Sequence, residues 1–409
     1  MTDIAPPPRF AVAAGDPLAA FGALVLSDEV LQARLGVIEI PEVFVAEAVA
    51  IAAEHGIALT ADAVDAAIRP DVLGLGRFMP APVTLDRWPS RGWLPARVVP
   101  TGDAPAFDWA WFGPEPIRDP FFDESILRFA SRPLSRMLRT RTTMNALIAG
   151  TDPDTPPPTG FVHHLSRCGS TLIAQAFAAV TDTVVLSEAE PLDAVVRWAM
   201  GSGAPIDLQV AALRAIVAAL GRDRSGSMRR VVFKLDSWHV TALPLFKAAF
   251  PHVPWVFVYR NPVEVLVSQH RQRGIHTVAG LLPTYIVDIP GAEGMDADEY
   301  AARVLKHMGE AVLQYWHLGG GMLIDYAELP EAILTRIAPH FDVVPDAAQR
   351  DAMAAVATRS AKVPGERFVP DSAAKRAAAT PTIAAAARAL VDPVHARLKT
   401  LRTATSKAV

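Results

Sequence analysis

"HHLSRCGSTLIAQAF", residues 163–177, follows the apolar pair Phe161-Val162 and holds a single glycine before Ser170-Thr171 and the start of a helical pattern. Strand, short polar loop and helix form the outline of a loop that cradles phosphate on backbone N–H groups at a helix N-terminus. The nucleoside-triphosphate version, G-x-x-x-x-G-K-[ST], is incomplete here. Aligned on Gly169, His164 stands at the first glycine and Ser170 at the lysine. Losing the lysine removes the γ-phosphate clamp, but the amides around Gly169 and the helix start still point at one place. Arg167 adds a forked cation suited to phosphate or sulfate oxygens. The loop reads as a nest for a nucleotide without a γ-phosphate. The plainer alternative is a strand-to-helix turn with no ligand.

The surroundings extend the pattern. "TGFVHHL", "TVVLSEAE", "RRVVFKLD", "VPWVFVYRNP" and "GGMLIDYAEL" read as five short apolar strands. Between them "STLIAQAFAAV", "DLQVAALRAIVAAL" and "PVEVLVSQHRQR" read as helices, the first with Leu172, Ala176 and Ala179 on one side. Such alternation predicts an α/β fold with a parallel sheet covered on both faces. Ligands bind such sheets beyond the carboxyl ends of the strands. Ser166-Arg167, Ser187-Glu188, Lys234, Asp236 and Arg260 fall at those ends. His163 and His164 are consecutive in a strand, so one faces the core and the other the opposite face.

At 409 residues the chain is long enough for two or three domains. Residues 17–69 read as helices, with starts at Ser27-Asp28-Glu29 and Thr60-Ala61-Asp62 and a stop at Gly56. Residues 80–120 crowd prolines and tryptophans, which excludes one long helix. They are expected to pack as extended segments and turns, their tryptophans buried against the main domain or lining a cleft. Residues 124–149 read as helical. "GTDPDTPPPTG", residues 150–160, is a turn-rich linker, and residues 373–409 are an Ala-rich helical tail broken at Pro381 and Pro393. The expected organisation is a helical module at 1–75, a Pro/Trp-rich connecting segment plus helices at 76–150, and a P-loop-type α/β domain at 151–409.

A formal net charge of −4 gives no argument for nucleic acid or an anionic membrane as partner. Cys168 is the only cysteine, so no intrachain disulfide can form, which fits a reducing cytoplasm. No basic segment leads into a clean apolar core near the N-terminus, so a signal peptide is not expected. No apolar run is long enough to predict a membrane span.

A second motif sharpens the first. "VFVYRNPVEVLVSQ" places Arg260 at a strand end, Asn261-Pro262 at the helix start and Ser268 along that helix. Arg260 could meet Ser268 if the chain folds back between them. Together these residues resemble the sulfotransferase family that uses 3'-phosphoadenosine 5'-phosphosulfate (PAPS). Its 5'-phosphosulfate loop, K/R-S-G-(S/T)-T, is matched by Arg167-Cys168-Gly169-Ser170-Thr171. Its 3'-phosphate motif, R-(D/N)-P-x5-S, is matched by Arg260-Asn261-Pro262 and Ser268. A strand leading to Y-E-x-L is approximated by Tyr326-Ala327-Glu328-Leu329. The resemblance runs from residue 160 to about residue 330, with "KVPGERFVPDSAAK" as a late nucleotide loop. The N-terminal helices are similar to the Nif11-like module through Phe21, Ser27-Asp28, Leu31, Ala52, Gly56 and Thr60.

The resemblance implies a PAPS donor, no metal, and a hydroxyl or amine acceptor on a small molecule, peptide or glycan. It also implies that Arg167, Cys168, Gly169, Ser170, Thr171, Arg260 and Ser268 hold the donor. Arg167 in place of lysine resembles the tyrosylprotein and some bacterial branches. The cytosolic branch ends the strand after the loop in K-T-H, with the histidine as base; here that strand ends Lys234-Leu235-Asp236. Sulfuryl transfer needs cations and N–H donors on the leaving side and a base at the acceptor. Arg167, with Lys234, suits the first need. Glu188 suits the second, as in the glutamate-based branches, with Glu190 and Asp236 as alternatives. A different reading makes Asp236 a Mg²⁺ ligand in a small-molecule kinase. A third is a non-catalytic nucleotide-binding protein whose N-terminal module recruits a protein partner.

Overall fold

The computed structural model describes residues 16–70, 80–358 and 371–406. The chain divides into two compact units. The first comprises Met1–Pro156, Glu190–Val195 and Arg214–Met228, and the second Pro157–Ala189, Val196–Leu213 and Arg229–Val409.

The first unit begins with helices α1 (Pro17–Ser27), α2 (Glu29–Gly36), α3 (Pro41–Glu54) and α4 (Ala61–Ile68). Asp28 accepts from the N–H groups of Val30 and Leu31, and Thr60 from that of Ala63, so the expected helix starts are capped as their side chains allow. Gly56 follows α3 at φ 71°, where only a residue without Cβ is unstrained. Phe21, Leu35, Phe44 and Ile51 are fully buried. The Pro/Trp-rich stretch forms a four-stranded sheet of β1 (Val83–Leu85), β2 (Trp93–Val99), β3 (Ala106–Trp111) and β4 (Thr140–Thr142), in the order β1-β4-β3-β2. Trp88, Trp93, Trp109 and Trp111 are buried and pack pairwise within this unit, at 6.3 Å between Trp88 and Trp109 and 5.8 Å between Trp93 and Trp111. Residues 124–149 are not all helical. Helices α5 (Phe122–Ala130), α6 (Pro133–Met137) and α7 (Met144–Ala149) flank β4, whose β-branched threonines pair between β1 and β3.

The second unit follows the strand-helix alternation closely. Its strands are β5 (Pro158–His164), β6 (Thr183–Ser187), β7 (Arg230–Lys234), β8 (Trp255–Tyr259) and β9 (Gly321–Asp325). They pair in parallel throughout, in the order β6-β7-β5-β8-β9. Helices α8 (Ser170–Ala178), α11 (Leu243–Ala249), α12 (Pro262–Arg271) and α13 (Ala297–Tyr315) connect them, with α9 (Glu190–Gly201) and α10 (Ile206–Leu220), whose residues 190–195 and 214–220 belong to the first unit. This is a P-loop-type α/β architecture, a parallel sheet flanked by helices. Every residue of β6 and β8 is buried, which explains their unbroken apolar runs. Helix α8 buries Ile173, Ala174, Ala176, Phe177 and Ala178, and Leu172, half-buried, packs against the same core, while Ala179 caps the helix end.

After β9 come α14 (Ala338–His340), α15 (Ala347–Val356), α16 (Ser372–Ala377), α17 (Pro381–Ala386) and α18 (Asp392–Ser406). Pro381 starts a helix as expected. Pro393 does not break one, because a π turn over Ala387–Val391 widens the backbone just before it. Most of the late loop "KVPGERFVPDSAAK" lies outside the described residues; only its last positions, from Asp371, are described.

The middle strand carries the core. Phe161 on β5 lies 5.9 Å from Phe233, 5.3 Å from Phe246 and 5.5 Å from Phe250, ring to ring. His163 is fully buried, edge-on to Phe246 and Trp255, and neither ring nitrogen has a hydrogen-bond partner among the described residues. Burial, helped by neighbouring histidines, lowers its pKa to about 3, so it is a neutral core residue. Phe161→Ala is expected to cost about 3–5 kcal/mol of unfolding free energy, seen as a lower urea midpoint at unchanged slope. A loss below about 1 kcal/mol would show that this aromatic cluster does not hold the sheet together.

Candidate active site

Parallel pairing sends the carboxyl ends of β5 to β9 to one edge, and β5 is flanked there by β7 on one side and β8 on the other. The chain leaves β5 through a loop of unusual backbone. Ser166 (φ 63°), Arg167 (φ 51°) and Gly169 (φ 92°) all lie in the left-handed region. For Ser166 and Arg167 this costs on the order of 1–3 kcal/mol each. Left-handed backbone of this kind is the form in which loops at a helix N-terminus present N–H groups to anions, and α8 starts at Ser170. Gly169 is required twice: by its φ, and because a Cβ there would lie 2.8 Å from Leu329 and 3.0 Å from Tyr326.

The loop's side chains brace that backbone. The Ser166 N–H donates to His164 Nδ1 at 3.0 Å, and Gln269 Nε2 donates to Ser166 Oγ at 2.8 Å. Gln269, fully buried on α12, also accepts from the Gly274 N–H at 2.8 Å. Arg167 Nη2 donates to the Gln272 carbonyl at 2.8 Å. The Cys168 thiol donates to the Val258 carbonyl at 3.1 Å and is fully buried, which pushes it up to about 12. It is a neutral packing group. Ser170 and Thr171 open α8 and are buried.

The ends of β6 and β7 bring Glu188 and Lys234 together. Glu188 takes left-handed backbone (φ 52°), and its N–H donates to the Lys234 carbonyl at 2.8 Å. The Lys234 ammonium pairs with Glu188 Oε1, and His164 Nε2 lies 3.4 Å from the same oxygen. The Lys234 side chain is 1% exposed and that of Glu188 28%, so the carboxylate is the reachable member of the pair. Burial alone pushes the Glu188 carboxyl up. The Lys234 charge and the His164 contact outweigh it and hold the carboxyl well below the usual carboxylate range.

At the end of β8, Arg260 is 4% exposed. Its Nε donates to Glu264 at 2.6 Å, and its Nη2 to Asp371 at 2.7 Å and Ser372 Oγ at 3.0 Å. Its guanidinium lies 3.9 Å from the Tyr326 ring centroid. Glu264 also accepts from Ser372 at 2.9 Å and Arg376 at 2.6 Å. Ser268 donates back to the Glu264 carbonyl at 2.8 Å, so in this state its hydroxyl and Arg260 each engage other partners. Asp236 caps a 3-10 turn, its N–H donating to His239 Nδ1 at 3.2 Å. Glu190 begins α9 in the first unit, where burial and then Asp123 and Asp193 raise its carboxyl. Glu328 accepts from the Asp325 N–H at 2.8 Å and pairs with Arg336 and Arg402, so it holds chain segments together.

Four residues of the site carried no motif. Glu264 was visible only as an acid one helical turn beyond Arg260. Asp371 and Ser372 belonged to the suspected late loop without a distinguishing pattern. Gln269 had no signal in the sequence.

The fold defines a P-loop-type α/β protein whose strained loop after β5 opens at the head of its sheet. No family model matches the chain, and no curated protein matches it. Among solved structures the chain is similar to the sulfotransferase domain of the curacin biosynthetic pathway, with 15% identity over 48% of this chain and 77% of that one and a TM-score of 0.36. It is similar to the sulfotransferase domain of the Synechococcus PCC 7002 olefin synthase, with 15% identity over 61% and 96% and a TM-score of 0.37. It is also similar to a sulfotransferase from Mycobacterium avium, with 14% identity over 60% and 76% and a TM-score of 0.39. Among the described residues no helix is long and apolar enough to cross a membrane.

The Glu188–Lys234 pair makes a testable statement about pH. A carboxyl depressed in the folded state adds stability above its ordinary value near 4.5, and that stability is lost as pH falls below it. Lys234→Met keeps the stem and removes the charge, leaving an ionised, largely buried carboxylate. The variant should lose about 2–4 kcal/mol at pH 7, with the deficit shrinking toward pH 4 as Glu188 protonates. Urea unfolding across that range measures it; a deficit independent of pH would show that the ion pair is not its source.

Proposed function

We propose that this protein is a PAPS-dependent sulfotransferase acting on a hydroxyl or amine acceptor. The observation that carries the reading is the lysine-free, left-handed nest at 166–169 set one strand away from Arg260. That arrangement suits a nucleotide bearing a 5'-phosphosulfate and a separate 3'-phosphate. Asp371 supports the second half, because its carboxylate already stands on the Arg260 fork as an anion would.

In this reading the nest amides, Arg167, Ser170 and Thr171 hold the 5'-phosphosulfate. Arg260 and Ser268 hold the 3'-phosphate once Asp371 yields its place. The acceptor oxygen or nitrogen attacks sulfur in line, the sulfur–oxygen bond to the phosphate breaks, and 3',5'-ADP leaves with the electron pair. Glu188 takes the acceptor's proton. The carboxylate is ionised at neutral pH, and the Lys234 pair that depresses it must loosen before it accepts a proton, which leaves Lys234 to steady charge during transfer. The N-terminal helices and the tryptophan-rich sheet are candidates for acceptor or partner selection.

Calorimetry with 3',5'-ADP and, separately, with ATP plus Mg²⁺ tests the donor. Micromolar or tighter binding of 3',5'-ADP, weakened about 100-fold in Arg260→Ala, is expected. Binding of ATP with Mg²⁺ and not of 3',5'-ADP would replace this reading with a kinase. For the base, Glu188→Gln should lower kcat by about 100-fold or more while 3',5'-ADP still binds. Transfer at full rate would remove Glu188 from that role.

A further inference from the structure

His164 lies at the last position of β5, 4% exposed, on the face opposite the core histidine His163. Its two ring nitrogens have different neighbours. Nδ1 accepts the Ser166 N–H at 3.0 Å, a bond produced by the left-handed turn of the nest itself. A nitrogen that accepts cannot carry the proton of a neutral imidazole, so the proton is on Nε2. Nε2 is buried and makes no regular hydrogen bond among the described residues; Glu188 Oε1 stands 3.4 Å away, and the ring also interacts with the Leu235 backbone. Desolvation is the main influence on this ring and keeps it neutral. Lys234 meets the same carboxylate oxygen from β7.

We propose that His164 is a positioning residue for Glu188: the nest locks it as the Nε2–H tautomer, and with Lys234 it holds Oε1 so that Oε2 receives the acceptor's proton. This rests on the reading of Glu188 as base, and it adds a coupling. The backbone that forms the anion nest is also what sets the tautomer of the histidine behind the base, so donor loop and base are aligned through one side chain.

Nitrogen-15 histidine spectra of the intact protein test the contact without any turnover. The His164 signals should show a protonated Nε2 and an unprotonated Nδ1 at pH 7 to 8, and Glu188→Gln should move the Nε2 proton upfield. An Nδ1–H tautomer, or an Nε2 proton indifferent to Glu188→Gln, overturns the proposal. Kinetics supply the second arm. His164→Asn keeps an acceptor for the Ser166 N–H but falls short of Glu188, and should lower kcat about tenfold with the KM for PAPS unchanged. His164→Gln places an amide donor near the Nε2 position and should recover most of that loss. Equal loss in both variants marks a structural role only and also overturns the proposal. Should the wild-type protein transfer nothing from PAPS, the functional reading fails, while the spectra still decide whether His164 is held on Glu188.

Discussion

The pairing of β5 with β7 on one side and β8 on the other is what every feature of the site depends on. Parallel strands end on the same edge, so one backbone ladder places the nest after β5, Lys234 at the end of β7 and Arg260 just beyond β8 in a single row. Strand β6 joins through β7 and delivers Glu188 to the Lys234 carbonyl. The aromatic cluster around Phe161 and the buried runs of β6 and β8 stabilise that ladder, and so indirectly the geometry of residues that make no apolar contact at all.

Charge at this edge is compensated before any ligand arrives. Lys234 pairs with Glu188, and Arg260 with Glu264 and Asp371. A buried cation left alone would lower its own pKa or draw in water, so these pairs are what permit cations to sit this deep. The two partners of Arg260 differ in exposure. Glu264 is 3% exposed and also holds Ser372 and Arg376, so it is a fixed support. Asp371 is 44% exposed and is the solvent-facing partner of Arg260. Strain follows the same edge: Ser166, Arg167 and Glu188 are three of the four non-glycine residues with positive φ among those described.

Much of the second unit was legible because its signals are local. Five apolar runs of strand length, alternating with helical periodicity, implied a parallel sheet, and R-C-G-S-T followed by a helix pointed either to a phosphate-type loop or to a plain strand-to-helix turn at a strand end. Asp28 and Thr60 announced helix starts through side chains that cap their own chain. Where local signals misled, tertiary packing had the larger stake. Thr140-Arg141-Thr142 became a strand because β1 and β3 offered partners.

By itself, the sequence determined the strand-loop-helix order, the lysine-free glycine loop and the identity of the cations near it, because each is written in neighbouring residues. The tertiary structure alone decided their partners. Glu188 and Lys234 are 46 residues apart, and Arg260 and Asp371 are 111. Ser166 and Gln269, 103 apart, were likewise joined only by the fold. Helix and strand periods carry no information over such separations. So "HHLSRCGST" could announce an anion site, but only the sheet could show that its second histidine faces Glu188 while its first lies in the core.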